Sequence, residues 1–173
     1  MSLSQPQTIL RPPTPNDGAS VFRLIGRCPP LDINSMYCNL LQCTHFAGTS
    51  VTAVQTINTS EALVGFISAY LVPEREDTLF IWQVAVDERA RGAGLAGSML
   101  KHILDRPQCR HAKYLETTIT ESNQASWGLF NSLAKKLGTS LDKSVMYDRD
   151  KHLAGEHDTE FLVRIGPFKL AQA

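Results

Sequence analysis

Val84-Ala85-Val86-Asp87-Glu88-Arg89-Ala90-Arg91-Gly92-Ala93-Gly94-Leu95-Ala96-Gly97 is the segment from which the fold is read. It opens as the end of an aromatic and β-branched run, residues 78–86, which predicts a strand. It closes as a helix with apolar positions at Leu95, Met99, Leu100 and Leu104, ended near Pro107. Between them, small residues let backbone N–H groups converge on phosphate oxygens at a helix start. Gly92 and Gly94 permit positive φ and close approach, while Arg89 and Arg91 supply charge. The segment reads as a diphosphate cradle; a plain turn with exposed arginines is the alternative that two glycines alone leave open. Gly92-x-Gly94-x-x-Gly97 also matches the dinucleotide fingerprint, with Glu116 downstream in the place of a ribose ligand. Placement counts against that reading. Asp87 through Arg91 separate the strand from the first glycine, and Glu116 sits inside its strand rather than at its end.

Upstream, Thr8 to Arg11 predicts a short strand stopped by Pro12 and Pro13. Asn16 or Asp17 caps a helix through Val21, Leu24 and Ile25, and Asp32 or Asn34 caps a second through Met36, Leu40 and Leu41. Residues 49–56 and 62–72 flank the polar turn Asn58-Thr59-Ser60 as a hairpin, and residues 73–77 make the next turn. Downstream, residues 114–119 form a strand and residues 121–137 a helix, capped at Ser122 or Asn123 and stopped by Gly138. Residues 144–147 and 161–165 form a last hairpin. This order predicts an α/β fold: one domain over residues 1–173, a mixed and mostly antiparallel sheet flanked by helices, with flexible tails at 1–6 and 169–173.

Composition narrows the function. The 173 residues carry 17 basic and 17 acidic side chains, so bulk charge does not point to nucleic acid. No apolar run reaches the roughly 18–20 residues that a membrane span requires. Residues 1–17 are proline-rich without a continuous apolar stretch, the reverse of a signal peptide, so the expected compartment is the cytoplasm. Cys28, Cys38, Cys43 and Cys109 show no paired CxxC spacing. Cys38 and Cys43 read as core thiols, His45 beside Phe46 as a core histidine, and no metal is expected.

With a strand before it, Arg89-x-x-Gly92-x-Gly94 resembles the pyrophosphate motif of the GCN5-related N-acetyltransferases, Arg/Gln-x-x-Gly-x-Gly/Ala. Asn123-x-x-Ser126-x-x-Leu129-Phe130 resembles that family's Asn-x-x-Ala-x-x-Leu-Tyr helix. The resemblance implies acetyl-CoA as donor, held by Arg89, Arg91, Gly92, Ala93, Gly94, Leu95 and Ala96. It also implies pantetheine paired with the backbone of Val84, Ala85 and Val86, and contacts from Asn123 and Ser126. One position departs: the family's frequent tyrosine, which protonates the departing thiolate, is Phe130. Tyr147 is a possible substitute acid.

Further strings are similar to one branch of that family, the L-2,4-diaminobutyrate acetyltransferases of ectoine biosynthesis. They are Pro30-Leu31-Asp32-Ile33-Asn34-Ser35-Met36-Tyr37, Thr44-His45-Phe46, residues 79–86 and Glu116-Thr117-Thr118-Ile119-Thr120. The branch implies acetylation of the γ-amine of diaminobutyrate, a homodimer, and a region around His157 and Glu160 that closes over the substrate. The chemistry itself asks for three things. A lysine-like amine with a pKa near 10.4 has only about one molecule in a thousand nucleophilic at neutral pH, so a proton must leave. The amine must sit about 3 Å from the thioester carbon, and the carbonyl must be polarised. Glu116 is the first candidate base, against a salt-bridged strand residue as the plainer reading. Asp32 is placed to take an ammonium, and Asn34 and Tyr37 to hydrogen-bond the head group, although Asp32 and Asn34 equally serve as helix caps. Trp82 divides between core and pocket wall, and at most one of Thr117 and Thr118 faces a cleft. Another small amine as substrate, or a CoA-binding module without turnover, are the competing readings.

Overall fold

A computed structural model describes residues 7–57 and 59–170. The tail expected at 1–6, residues 171–173 of the tail expected at 169–173, and Asn58 of the predicted turn lie outside the described residues. The strands are β1 (Thr8–Arg11), β2 (Val51–Ile57), β3 (Ser60–Val72), β4 (Arg75–Val86), β5 (Tyr114–Thr120), β6 (Leu141–Tyr147) and β7 (Glu160–Ile165), and the helices are α1 (Gly18–Gly26), α2 (Met36–Thr44), α3 (Leu95–Leu104) and α4 (Gln124–Lys136). Strand order is β1-β2-β3-β4-β5-β7-β6. β4 pairs in parallel with β5, whereas β1–β2, β2–β3, β5–β7 and β7–β6 pair antiparallel, so the sheet is mixed and mostly antiparallel. The chain divides into two compact units, one of the described residues up to Tyr70 with Gln83–Gln108, the other of Leu71–Trp82 with the described residues from Cys109 on.

In the first unit, adjacent residues of β3 point to opposite faces, and each face has its own helices. Phe66 packs with Val21, Leu24, Ile25 and Cys28 of the α1 region and Cys43 of α2, and Ala85 of β4 joins them. Gly65, its neighbour, faces α3: a Cβ there would lie 2.9 Å from Met99 Sδ, so the missing side chain lets the helix approach the strand. Two expected caps are corrected. α2 is capped by Ser35, whose Oγ accepts from the Cys38 N–H at 3.1 Å, which releases Asp32 and Asn34 from that duty. Asp17 caps no N–H of α1; it accepts from Thr14 N at 2.7 Å and takes both arms of Arg11 at 2.8 Å. Of the two thiols expected in the core, Cys43 is buried and Cys38 is only half-buried, Cys28 is buried as well, and His45 is exposed at the C-terminal end of α2 rather than in the core. Burial pushes the Cys43 thiol up to about 12.

In the second unit β4 begins three residues before the expected Thr78, because the turn closes at Pro73 and Glu74, with Glu74 at φ +65°. α4 is capped by Asn123, whose Oδ1 accepts from Ser126 N at 3.2 Å, and it ends before Gly138 at φ +65°. Trp127 of α4 donates to the Thr120 carbonyl at 3.1 Å. The Lys143 ammonium lies 5.0 Å from the Trp127 ring centroid and 4.0 Å from that of Phe161, tying α4 to β6 and β7.

Candidate active site

Gly92 and Gly94 stand at φ +81° and +73°, the left-handed region in which an L side chain is strained. Gly94 is the N-cap of α3, and the first helical bond is Ser98 N to the Gly94 carbonyl at 3.1 Å. The N–H groups of Leu95, Ala96 and Gly97 therefore have no carbonyl a turn earlier, and the positive end of the helix dipole adds to them. The turn before the cradle is built on Asp87, which is buried. Its carboxylate accepts from Arg89 N, Nε and Nη2 at 3.0–3.1 Å and from Arg27 Nη2 at 3.2 Å. The Arg89 guanidinium, with help from Arg27, holds the Asp87 carboxyl well below the usual carboxylate range. Arg91 donates Nε to the Val86 carbonyl at 3.0 Å, and the Cys28 thiol donates to the same oxygen at 3.4 Å. Arg89 thus acts first as a strut, and two guanidiniums around one carboxylate leave the loop positive.

The segment between α1 and α2 is latched to β4 by a residue that sequence reasoning missed. Gln83 donates Nε2 to the Asp32 carbonyl at 3.0 Å and accepts at Oε1 from Asn34 Nδ2 at 3.0 Å. Asn34 spends its side chain on this latch, while Asp32 contributes its backbone and keeps an exposed carboxylate. Tyr37, in the first turn of α2, is exposed.

Glu116, in the second unit, is 2% exposed and faces two arginines. Arg75 Nη1 and Nη2 grip its two oxygens at 2.9 and 3.0 Å, and Arg164, its cross-strand partner on β7, donates to Oε1. Arg164 also lies 3.8 Å from the Tyr114 ring centroid. Burial raises the Glu116 carboxyl, the two guanidiniums lower it by more, and the net shift is down. The pairing supports the plainer of the two readings of Glu116, a salt-bridged strand residue, over the general base: a carboxylate held ionised by two cations has little affinity for a proton. Thr117 likewise has a structural partner. It is buried and donates Oγ1 to the Ile81 carbonyl at 3.0 Å, so its hydroxyl serves the β4–β5 pair. Thr118 alternates to the Glu116 face.

Register places the remaining candidates. Thr120, Glu160 and Tyr147 lie side by side across β5, β7 and β6, on the face that carries Glu116. Tyr147 is 43% exposed, and the His152 ring meets it edge-on at 6.1 Å. His152 Nδ1 accepts from Asp148 N at 2.9 Å, and Asp148 Oδ1 accepts from the N–H groups of Asp150 and Lys151 at 3.0 Å. Farther along, Arg149 N donates to Thr159 Oγ1 at 3.1 Å. The segment 148–159 is therefore an ordered loop, with His157 exposed on it and Glu160 half-buried where it re-enters the sheet. Trp82, expected to divide between core and pocket wall, is 42% exposed. Asn123 and Ser126 meet through the α4 cap, which uses only the oxygen of the Asn123 amide.

The Acetyltransferase (GNAT) family model matches residues 20–134. The chain is 55% identical to the L-2,4-diaminobutyric acid acetyltransferase of Methylotuvimicrobium alcaliphilum, over 97% of this chain and 95% of that protein. It is 52% identical to the enzyme of the same name from Vibrio cholerae, over 91% of this chain and 88% of the other. Among solved structures, it is similar to the diaminobutyrate acetyltransferase EctA from Paenibacillus lautus in complex with its substrate L-2,4-diaminobutyric acid and coenzyme A. The TM-score is 0.88 and the identity 34%, covering 98% of this chain and 100% of that one. The loop at the head of α3 lies inside the family match, and likeness over nearly the whole chain extends to both units: the chain belongs to the GNAT acetyltransferases, in the group of the L-2,4-diaminobutyric acid acetyltransferases.

Proposed function

We propose that this chain moves the acetyl group of acetyl-CoA to the 4-amino nitrogen of L-2,4-diaminobutyrate, giving N4-acetyl-L-2,4-diaminobutyrate for ectoine synthesis, by direct attack in a ternary complex. The observation that carries the reading is the cradle: two left-handed glycines before the open N–H groups of α3, in a chain of diaminobutyrate acetyltransferase kinship. The cradle takes the diphosphate, and the backbone of Val84, Ala85 and Val86 pairs with the pantetheine arm and polarises the thioester carbonyl. Asn123 and Ser126 add contacts from α4.

The diamino acid arrives with two ammonium groups and a carboxylate. In the first unit, Asp32 is the proposed partner of an ammonium group and Tyr37 of the head group; in the second unit, Glu160 and His157 are the proposed polar ligands and Trp82 the proposed apolar wall. The attacking amine gives up its proton to water beside Glu160, since Glu116 is committed to its arginines. Attack forms the C–N bond, the tetrahedral oxyanion collapses with loss of the C–S bond, and Tyr147 returns a proton to the thiolate. The homodimer and the cytoplasmic location belong to the same proposal; among the described residues no helix is long and apolar enough to cross a membrane. Light scattering of the purified protein tests the dimer.

The test of function is CoA release from acetyl-CoA with L-2,4-diaminobutyrate, ornithine, lysine and spermidine, with products located by NMR. Turnover greatest on diaminobutyrate, with the acetyl group on the 4-nitrogen, is the expected result. Turnover only on another amine would replace the substrate. Bound acetyl-CoA without turnover on any of them would replace catalysis by a binding role.

A further inference from the structure

β6 ends at Tyr147, and the chain turns at once on Asp148. Asp148 Oδ1 accepts from the N–H groups of Asp150 and Lys151 at 3.0 Å. Its carbonyl accepts from His152 N at 3.0 Å and Leu153 N at 3.3 Å. Its own N–H donates to His152 Nδ1 at 2.9 Å. This is a reciprocal cap in which a histidine ring does what a Glu or Gln side chain usually does. The N–H groups of Lys151 and Asp150 hold the Asp148 carboxyl below the usual carboxylate range, so the anchor of the turn keeps its charge at neutral pH.

The N–H that His152 takes belongs to the peptide that joins Tyr147 to Asp148. The bond therefore fixes the plane of that peptide, and with it the backbone from which the Tyr147 side chain leaves. The same imidazole meets the Tyr147 ring with centroids 6.1 Å apart and planes at 74°. Little else restrains the phenol. β6 is the last strand of the sheet, Tyr147 is exposed, and among the described residues its hydroxyl has no hydrogen-bond partner. A side chain so placed turns among its rotamers unless a neighbour holds it, and a reacting group gains rate from being held.

We propose that His152 is a positioning residue of the acetyl transfer, holding Tyr147 by its backbone and by its ring in the pose from which the phenol protonates the departing thiolate. The inference rests on the reading of Tyr147 as the acid. The phenol gives its proton to sulfur as the C–S bond breaks, and the phenolate takes one back from water, which reaches the exposed ring. The arrangement also depends on pH. Nδ1 accepts an N–H only in the neutral imidazole, with the proton on Nε2. Protonation sets a second N–H against that of the peptide, so the bond is lost and the ring is drawn to the Asp148 carboxylate instead. The titratable and charged groups around the ring are Tyr147, Asp148 and Lys151, while Arg149 pairs with Asp158 at 3.7 Å.

The test measures kcat and both KM values between about pH 5.5 and 9, the range in which imidazoles change charge, for wild type, His152→Ala and His152→Asn. It then repeats His152→Ala on Tyr147→Phe. His152→Ala is expected to lower kcat about three- to tenfold near pH 8, the worth of one neutral hydrogen bond, with both KM values held. His152→Asn sets an amide oxygen where Nδ1 stood, an acceptor at every pH, and is expected to recover most of that loss. As pH falls, wild-type kcat is expected to drop about three- to tenfold further than that of His152→Asn. On Tyr147→Phe, with no phenol to place, His152→Ala is expected to change kcat by less than about twofold. Where His152→Ala fails to fold, judged by circular dichroism, the pH comparison of wild type with His152→Asn decides. Equal kcat for wild type and His152→Ala, parallel pH profiles for wild type and His152→Asn, or the same loss with and without the phenol overturns the positioning role. Full activity of Tyr147→Phe overturns the reading of Tyr147 as the acid, so the two failures are distinct.

Discussion

Glu116→Gln separates structural from catalytic use of the buried carboxylate. The substitution keeps size and removes the charge from a group with three guanidinium contacts. Hydrogen bonds to charged groups contribute about 1.5–3 kcal/mol and neutral ones about 0.5–1.5, so neutralising the acceptor costs about 1 kcal/mol for each arginine. The glutamine amide also turns one N–H toward a guanidinium N–H, which adds a similar amount. Against this, the Arg75 and Arg164 side chains are 47% and 32% exposed, and water recovers part of the loss. The expected destabilisation is about 2 kcal/mol. For a chain of this length that lowers Tm by about 4–8 °C. The sign with pH follows from the depressed carboxyl. Its contribution is complete above the ordinary value of 4.5 and is lost as pH falls through the lower folded value. The gap between wild type and variant, measured by thermal or urea unfolding, should therefore be full at pH 7 and shrink below about pH 4. At permissive temperature kcat should stay within a few-fold of wild type, with the same pH profile. A variant as stable as the wild type, yet slowed about a hundredfold at neutral pH and recovering at high pH, would restore Glu116 as the base and refute this reasoning.

Three further outcomes are expected. Gly92→Val should raise the Kd of acetyl-CoA at least about tenfold by calorimetry; a Cβ at Gly92 meets no atom within 4 Å, so the cost is the backbone alone at φ +81°, and unchanged affinity would dissolve the cradle. Gln83→Ala removes two neutral hydrogen bonds worth about 1 kcal/mol each, so the KM for diaminobutyrate should rise between about fivefold and thirtyfold with the KM for acetyl-CoA unmoved. An unmoved diaminobutyrate KM would show that the latch does not position substrate. Tyr147→Phe should lower kcat by about a hundredfold while both KM values hold, the range of a lost general acid; full activity would leave the thiolate to another donor.

The cradle was legible because its chemistry is local. Positive φ at Gly92 and Gly94, the helix behind them and the strand before them all follow from neighbours in sequence, and all appear where expected. Strand and helix positions were legible for the same reason, apart from ends such as the start of β4. The caps were less so, since Asp32, Asn34 and Ser35 are all good capping residues, and only one of them meets a free N–H. What could not be read was the partnership of residues far apart in the chain. Glu116 has the look of a base until Arg75 and Arg164 are seen around it, 41 and 48 positions away. Gln83 lies beside Trp82 in one of the similar strings, but no periodicity says that its amide reaches back to Asp32 and Asn34.

Tyr147 shows how finely such partnerships are set. Along β6 and β7 the pairs run in step from Leu141↔Ile165 to Val145↔Phe161, and the next pair is Tyr147↔Glu160. Met146 is thus the extra residue of a bulge. In step, Met146 would oppose Glu160, and Tyr147 would turn to the face where Lys143 and Phe161 meet α4, away from Glu160 and Thr120. One inserted residue therefore decides whether the phenol stands beside the carboxylate. The local sequence, Ser144-Val145-Met146-Tyr147, holds no glycine to announce it. Phe130 supplies the other half of the argument. At the position of the family's frequent tyrosine it is 2% exposed, packed as a core residue of α4, so proton return to the thiolate has to come from another strand or from water. The bulge at Met146 brings Tyr147 into the row of Thr120 and Glu160, a placement visible only in the pairing of the strands.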